Sequence, residues 1–115
     1  MPIQTVLERN SLVTKYTTDN THAALQSTVA ATTLGTELAG GAPAYARKVL
    51  AWAAAAASTS SATQVTFDVA SGSTVASVAL FDALTVGNYR DGVNVTSQSF
   101  SSQGSYAVTP SYTQA

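Results

Sequence analysis

Val65-Thr66-Phe67-Asp68-Val69, followed after a short break by Thr74-Val75-Ala76-Ser77-Val78-Ala79-Leu80-Phe81, is the stretch that sets the fold class. In the first segment Val65, Phe67 and Val69 fall on every second residue around Thr66 and Asp68, the period of a half-buried strand. In the second, Ala76, Val78 and Leu80 interleave with Ser77, Ala79 and Phe81, so both faces are largely apolar, as in a central strand. Ser71-Gly72-Ser73 between them has the composition of a turn.

The same period extends outward in both directions. Val49 to Trp52 alternates Val49 and Ala51 with Leu50 and Trp52. On the other side, Asp91-Gly92 is a strong hairpin dipeptide between Val86 to Arg90 and Val93 to Ser97, and Ser105 to Thr109 alternates Tyr106 and Val108 with polar neighbours. Ala53 to Ala57 favours helix by propensity, but five residues cannot nucleate an isolated one, so a strand end entering a loop is expected. Short strands at roughly ten-residue spacing predict a mainly all-β chain, a small antiparallel β-sandwich or barrel. Trp52, Phe67, Val78, Leu80 and Tyr106 are its expected core.

Gly40-Gly41-Ala42-Pro43 combines freedom of φ with a fixed φ and a missing donor, and so marks a turn and a boundary. Before it, the apolar residues Val6, Leu7, Leu12, Val13, Leu25, Val29, Leu34 and Leu38 are spaced too irregularly for more than short elements. A single domain is therefore expected in two parts, an irregular N-terminal arm over 1–39 with a possible short helix, and a β domain over 40–115. The arm is expected to be ordered by neighbouring subunits, so that deleting residues 1 to about 20 leaves the β domain folded and weakens attachment to shells at least about tenfold; the alternative is that the segment supplies a β-strand or helix packed on its own domain.

Of the 115 residues 45% are hydrophobic but only 10% charged, and 31 are Ser or Thr. The net charge of −1 leaves no basic surplus to hold nucleic acid or an anionic bilayer, so neither is an expected partner. The N-terminus lacks the continuous apolar segment of a secretory signal, and no apolar run reaches the length of a membrane span. With no cysteine, disulfides and thiolate chemistry are excluded. A weakly charged Ser, Thr and Ala surface desolvates easily and suits contact with other copies or with a shell protein.

Residues that carry chemistry are few. His22 is the sole histidine and cannot assemble a zinc site without cysteines or a carboxylate cluster, so no metal or other cofactor is expected. Asp68, Asp82 and Asp91 lie on separate expected strands or turns, with no spacing that calls for acid and base work. There is no G-x-S-x-G elbow, and Gly40-Gly41 is not followed by the lysine of a phosphate loop. Asn94-Val95-Thr96 matches a glycosylation acceptor, but nothing directs the chain to the secretory path. The candidate partner-binding residues are Leu7, Leu12 and Leu25 in the arm, with Tyr45, Arg47 and Lys48 after the turn. Arg47-Lys48 could meet an acidic surface or a phosphate; the plainer reading is a solvated strand edge that discourages edge pairing.

Gly40-Gly41-Ala42-Pro43-Ala44-Tyr45-Ala46-Arg47-Lys48, then Val65 to Val75, Leu80 to Leu84 and Phe100 to Thr109, resemble in order four boxes of a family of small tailed-bacteriophage virion proteins. The family's G-G-S-P-A-Y-A-R-K box differs here only at Ala42. The other boxes depart at Ala70 for proline, Phe81 for tryptophan, and Ser101 and Ser102 for glycines. Members are commonly labelled tail fibre or minor structural proteins. The resemblance implies a non-enzymatic structural protein of the virion, assembled in the host cytoplasm. The absence of heptads and repeats in so short a chain favours a capsid decoration, or cement, protein that binds the major capsid protein or other virion proteins. On that reading a homotrimer is expected at the threefold positions of the shell. A tail fibre or tail-tip component used in host attachment is the alternative, and a small hydrolase or carbohydrate-binding module ranks last.

Overall fold

The computed structural model describes residues 5–114. Helix α1, Val6–Asp19, opens at Thr5, whose hydroxyl accepts the Glu8 N–H at 3.3 Å, with the Glu8 carboxylate in the positive first turn. It closes at Asn20, whose backbone N–H and side-chain amide both donate to the Tyr16 carbonyl, at 3.0 and 2.8 Å. Val13 is its buried residue.

Eight strands follow: β1 His22–Gln26, β2 Lys48–Val49, β3 Thr59–Ser61, β4 Val65–Val69, β5 Thr74–Phe81, β6 Tyr89–Ser99, β7 Gly104–Val108 and β8 Ser111–Thr113. They form a four-stranded sheet in the order β2-β1-β5-β6 and two pairs, β3-β8 and β4-β7, all antiparallel. Leu25, Val78 and Leu80 of the large sheet share one core with Phe67 and Val69 of β4, so the chain is a small sandwich of unequal layers. The other face of the large sheet carries a smaller cluster of Ala24, Ala79 and Phe81, with Tyr89 against it.

β4 and β5 have the expected bounds, and β7 lies one residue earlier than expected. Gly72, at φ +82°, makes the expected turn, but β4 and β5 do not pair; the turn carries the chain from one layer to the other. The alanine run is not helical. Trp52 bridges Ala62 and Ala56 bridges Thr59, while Ala57 and Ser58 take positive φ, 49° and 67°, and fold the segment back toward β3.

Two expectations are corrected. Residues 22–26, assigned to the arm, form β1, which lies inside the large sheet with Leu25 opposite Val78 and wholly buried. Its five residues, His-Ala-Ala-Leu-Gln, have no period-2 contrast because nearly all are covered. Asp91-Gly92 is not a hairpin tip. Both residues lie within β6, where Gly92 opposes Ala79. A Cβ there would displace the Tyr89 hydroxyl and press on the Ala30 methyl, a close approach that sequence cannot distinguish from a turn.

Candidate functional site

The sandwich is open along one side. There β5 and β6 face β7 and β8 across a groove of about 520 Å³, with Val78 and Leu80 as floor and Val93, Val95, Tyr106 and Val108 as walls. One end is closed by rings. Tyr16 from α1 stacks on Tyr112 of β8 at 3.7 Å between centroids and 7° between planes, and meets Trp52 edge-on at 6.2 Å. The Trp52 indole N–H donates to the Asn20 carbonyl at 2.8 Å, and the Tyr16 hydroxyl donates to Asp91 Oδ2 at 2.6 Å. Burial and the Asp91 carboxylate both raise the Tyr16 pKa, so this phenol stays neutral and donates.

A second cluster gathers residues from the expected site. Glu37 takes a bidentate pair of hydrogen bonds from Arg47, Nε to Oε2 and Nη2 to Oε1, each 3.0 Å. Arg47 Nη1 also donates to the carbonyls of Ala83 and Val86, at 3.0 and 2.8 Å, and the guanidinium lies 3.6 Å over the Phe81 ring. Tyr45 donates to Glu37 Oε2 at 2.8 Å and accepts the Leu25 N–H at 2.9 Å. Burial raises the Tyr45 pKa, with the Glu37 carboxylate adding to it. The Arg47 side chain is only 8% exposed, so it is not the solvated edge residue of the plainer sequence reading. Its donors instead bind the chain around Glu37 and the 82–88 loop to the end of β5.

The six sequence candidates thus separate. Tyr45 and Arg47 come together, with Leu25 linked through its backbone, in a cluster whose hydrogen bonds are internal. Lys48 lies half-buried on β2, opposite Ala23. Leu7 is 82% exposed on α1, and Leu12 is also exposed. The groove residues Tyr16, Asp91, Val93 and Tyr112 were not among the candidates, because they come from α1, β6 and β8 and share no motif. The one available signal was a tyrosine near each end of a chain with few aromatic residues.

Fold and groove together define a small all-β domain built as a half-open sandwich. The chain belongs to the family described as podophage GP4 fiber I protein gp80, which it matches over residues 7–110. It is therefore a phage structural protein and a component of the virion. No curated protein and no solved structure matches it. The family is one of fibre proteins, which favours the tail-fibre alternative over capsid decoration.

Proposed function

We propose that the chain is a non-enzymatic component of the tail-fibre apparatus of a podophage and takes part in host attachment. The observation that carries this reading is the match to a fibre-protein family across nearly the whole described chain. The side-chain chemistry is consistent with it. Arg47, Glu37 and Tyr45 are hydrogen-bonded to one another and to backbone carbonyls and amides, a use of polar groups that holds loops in place. The expected homotrimer is compatible with this position too, because a fibre base offers three- or sixfold positions as a shell offers threefold ones.

Immunogold labelling of intact virions tests the reading. Gold at the tail, together with slower adsorption to host cells in the presence of Fab fragments, is the expected result. Gold spread over the head would return the chain to capsid decoration.

A further inference from the structure

α1 lies on the sandwich with little of its surface covered. Among its described residues only Val13 is buried, while Val6, Leu7 and Leu12 are exposed. Its ties to the sheets include the Tyr16 ring on Tyr112 and Trp52, the Tyr16 hydroxyl on Asp91, and Asn10 Oδ1, which accepts the Ser58 N–H at 2.9 Å. The helix itself is weak. Val6, Val13, Thr14, Thr17 and Thr18 are β-branched, Thr17 and Thr18 both donate to the Thr14 carbonyl, and the last turn ends on Asp19 with no basic residue. Fourteen residues of this kind do not hold a helix alone in water, so leaving the sandwich and unwinding form one event.

The place where such an event must stop is set by two neighbouring residues. Thr21 is bonded to the sheet on both sides, its N–H donating to the Phe81 carbonyl at 3.0 Å and its carbonyl accepting the Leu50 N–H at 2.8 Å. Asn20, one residue earlier, is buried, and its Oδ1 accepts no hydrogen bond from the described residues. A buried acceptor left without a donor costs free energy in the closed position, and water repays it once Asn20 is uncovered. We propose that α1 is a latch that opens as a unit at Asn20 while the sandwich stays folded, and that its release extends the groove over Trp52 and Tyr112 and frees the Asp91 carboxylate.

Native-state hydrogen exchange of the full chain, in urea below its unfolding midpoint, tests the latch. Amides from Asn10 to Asp19 should share one protection factor of about 10²–10³ with little dependence on urea. Those of Val78 to Leu80 in β5 should be protected at least about a hundredfold more and should fall steeply with urea. The pair of substitutions Val13→Ala and Tyr16→Ala should leave the latch open. Acrylamide should then quench Trp52, the sole tryptophan, more strongly, and its emission should shift to the red, with the circular dichroism of the sheets kept. One protection factor and urea slope common to α1 and β5, or protection that climbs residue by residue along α1 as in end fraying, would overturn the proposal. So would unchanged Trp52 quenching, or loss of the sheet signal, in the double variant.

Discussion

Tyr16 and Tyr112 stack with their centroids 3.7 Å apart, and this contact fastens the first helix to the last strand. Other contacts help: the Tyr16 hydroxyl donates to Asp91, Asn10 Oδ1 accepts the Ser58 N–H, and the Tyr112 carbonyl accepts the Thr59 hydroxyl. α1 buries Val13, and β8 pairs with β3 over three residues. A double-mutant cycle of Tyr16→Ala and Tyr112→Ala, read by urea unfolding, should give a coupling of about 0.5–1.5 kcal/mol. Additive effects would show that the stacking contributes nothing beyond each ring's separate burial.

The same contact favours the alternative expected for the N-terminus, a segment packed on its own domain. Deleting residues 1 to about 20 removes Val13, Tyr16 and the Asn20 carbonyl that accepts from Trp52. Losing one buried aliphatic side chain and one aromatic pair should cost about 2–4 kcal/mol. The truncated chain should therefore melt well below the full chain in a thermal scan followed by circular dichroism. Equal melting would restore α1 as a separable arm.

β4 was legible in the sequence because each face keeps one environment, so burial imprints a period of two, and β5 because a long run that is apolar on both faces marks a central strand. β1 was not legible, since its Ala23, Ala24, Leu25 and Gln26 are all covered and the contrast disappears. The possible short helix of the arm is present as α1, but its place was not legible: a helix that buries Val13 needs no apolar stripe, and its capping Thr5 with Glu8 three residues later resembles many polar stretches in a threonine-rich chain. The Arg47 cluster was half legible. Tyr45 and Arg47 were singled out as partner-binding candidates, but their actual partner, Glu37, lies across the Gly40 to Pro43 turn, which was read as a boundary. The groove left no trace, because its walls meet only through tertiary packing.

Leu25 bears directly on that boundary. It is wholly buried opposite Val78 in the main core, so Leu25→Ala should cost about 2–5 kcal/mol, as for other core leucines. A residue of a free arm would give a loss near zero in the same urea titration, so one variant separates the two descriptions.

Arg47→Ala strands the Glu37 carboxylate and the carbonyls of Ala83 and Val86 together. Breaking a largely buried charge pair from one side costs about 3–5 kcal/mol; the lower end is expected because Glu37 is a quarter exposed. Arg47→Lys should recover little, since a single ammonium cannot span both carboxylate oxygens and two carbonyls while lying over the Phe81 ring. Denaturant unfolding of both variants measures this, and full recovery by lysine would mean that charge alone matters at the site.

The two half-buried phenols of Tyr16 and Tyr45 give the fold an alkaline limit. Tyr16 and Tyr45 both have folded pKa values raised above the ordinary 10.0, by burial first, with the Asp91 and Glu37 carboxylates adding to it. The folded state thus holds these protons more tightly than the unfolded chain does. Their stabilisation is complete below pH 10 and is lost as pH rises above it toward the folded values. Asp82 has the opposite sign. The Asn88 amide and then Arg90 hold its pKa below the ordinary 3.8, so its contribution is present above that pH and is lost only as pH falls below it, through the lowered folded value. Between these limits the urea midpoint should be flat, and it should decline above pH 10. Tyr45→Phe keeps the ring but removes one titrating phenol, so its alkaline decline should be shallower than that of the wild type. A midpoint that falls between pH 7 and 9, or an unchanged slope in Tyr45→Phe, would show that other groups set the limit.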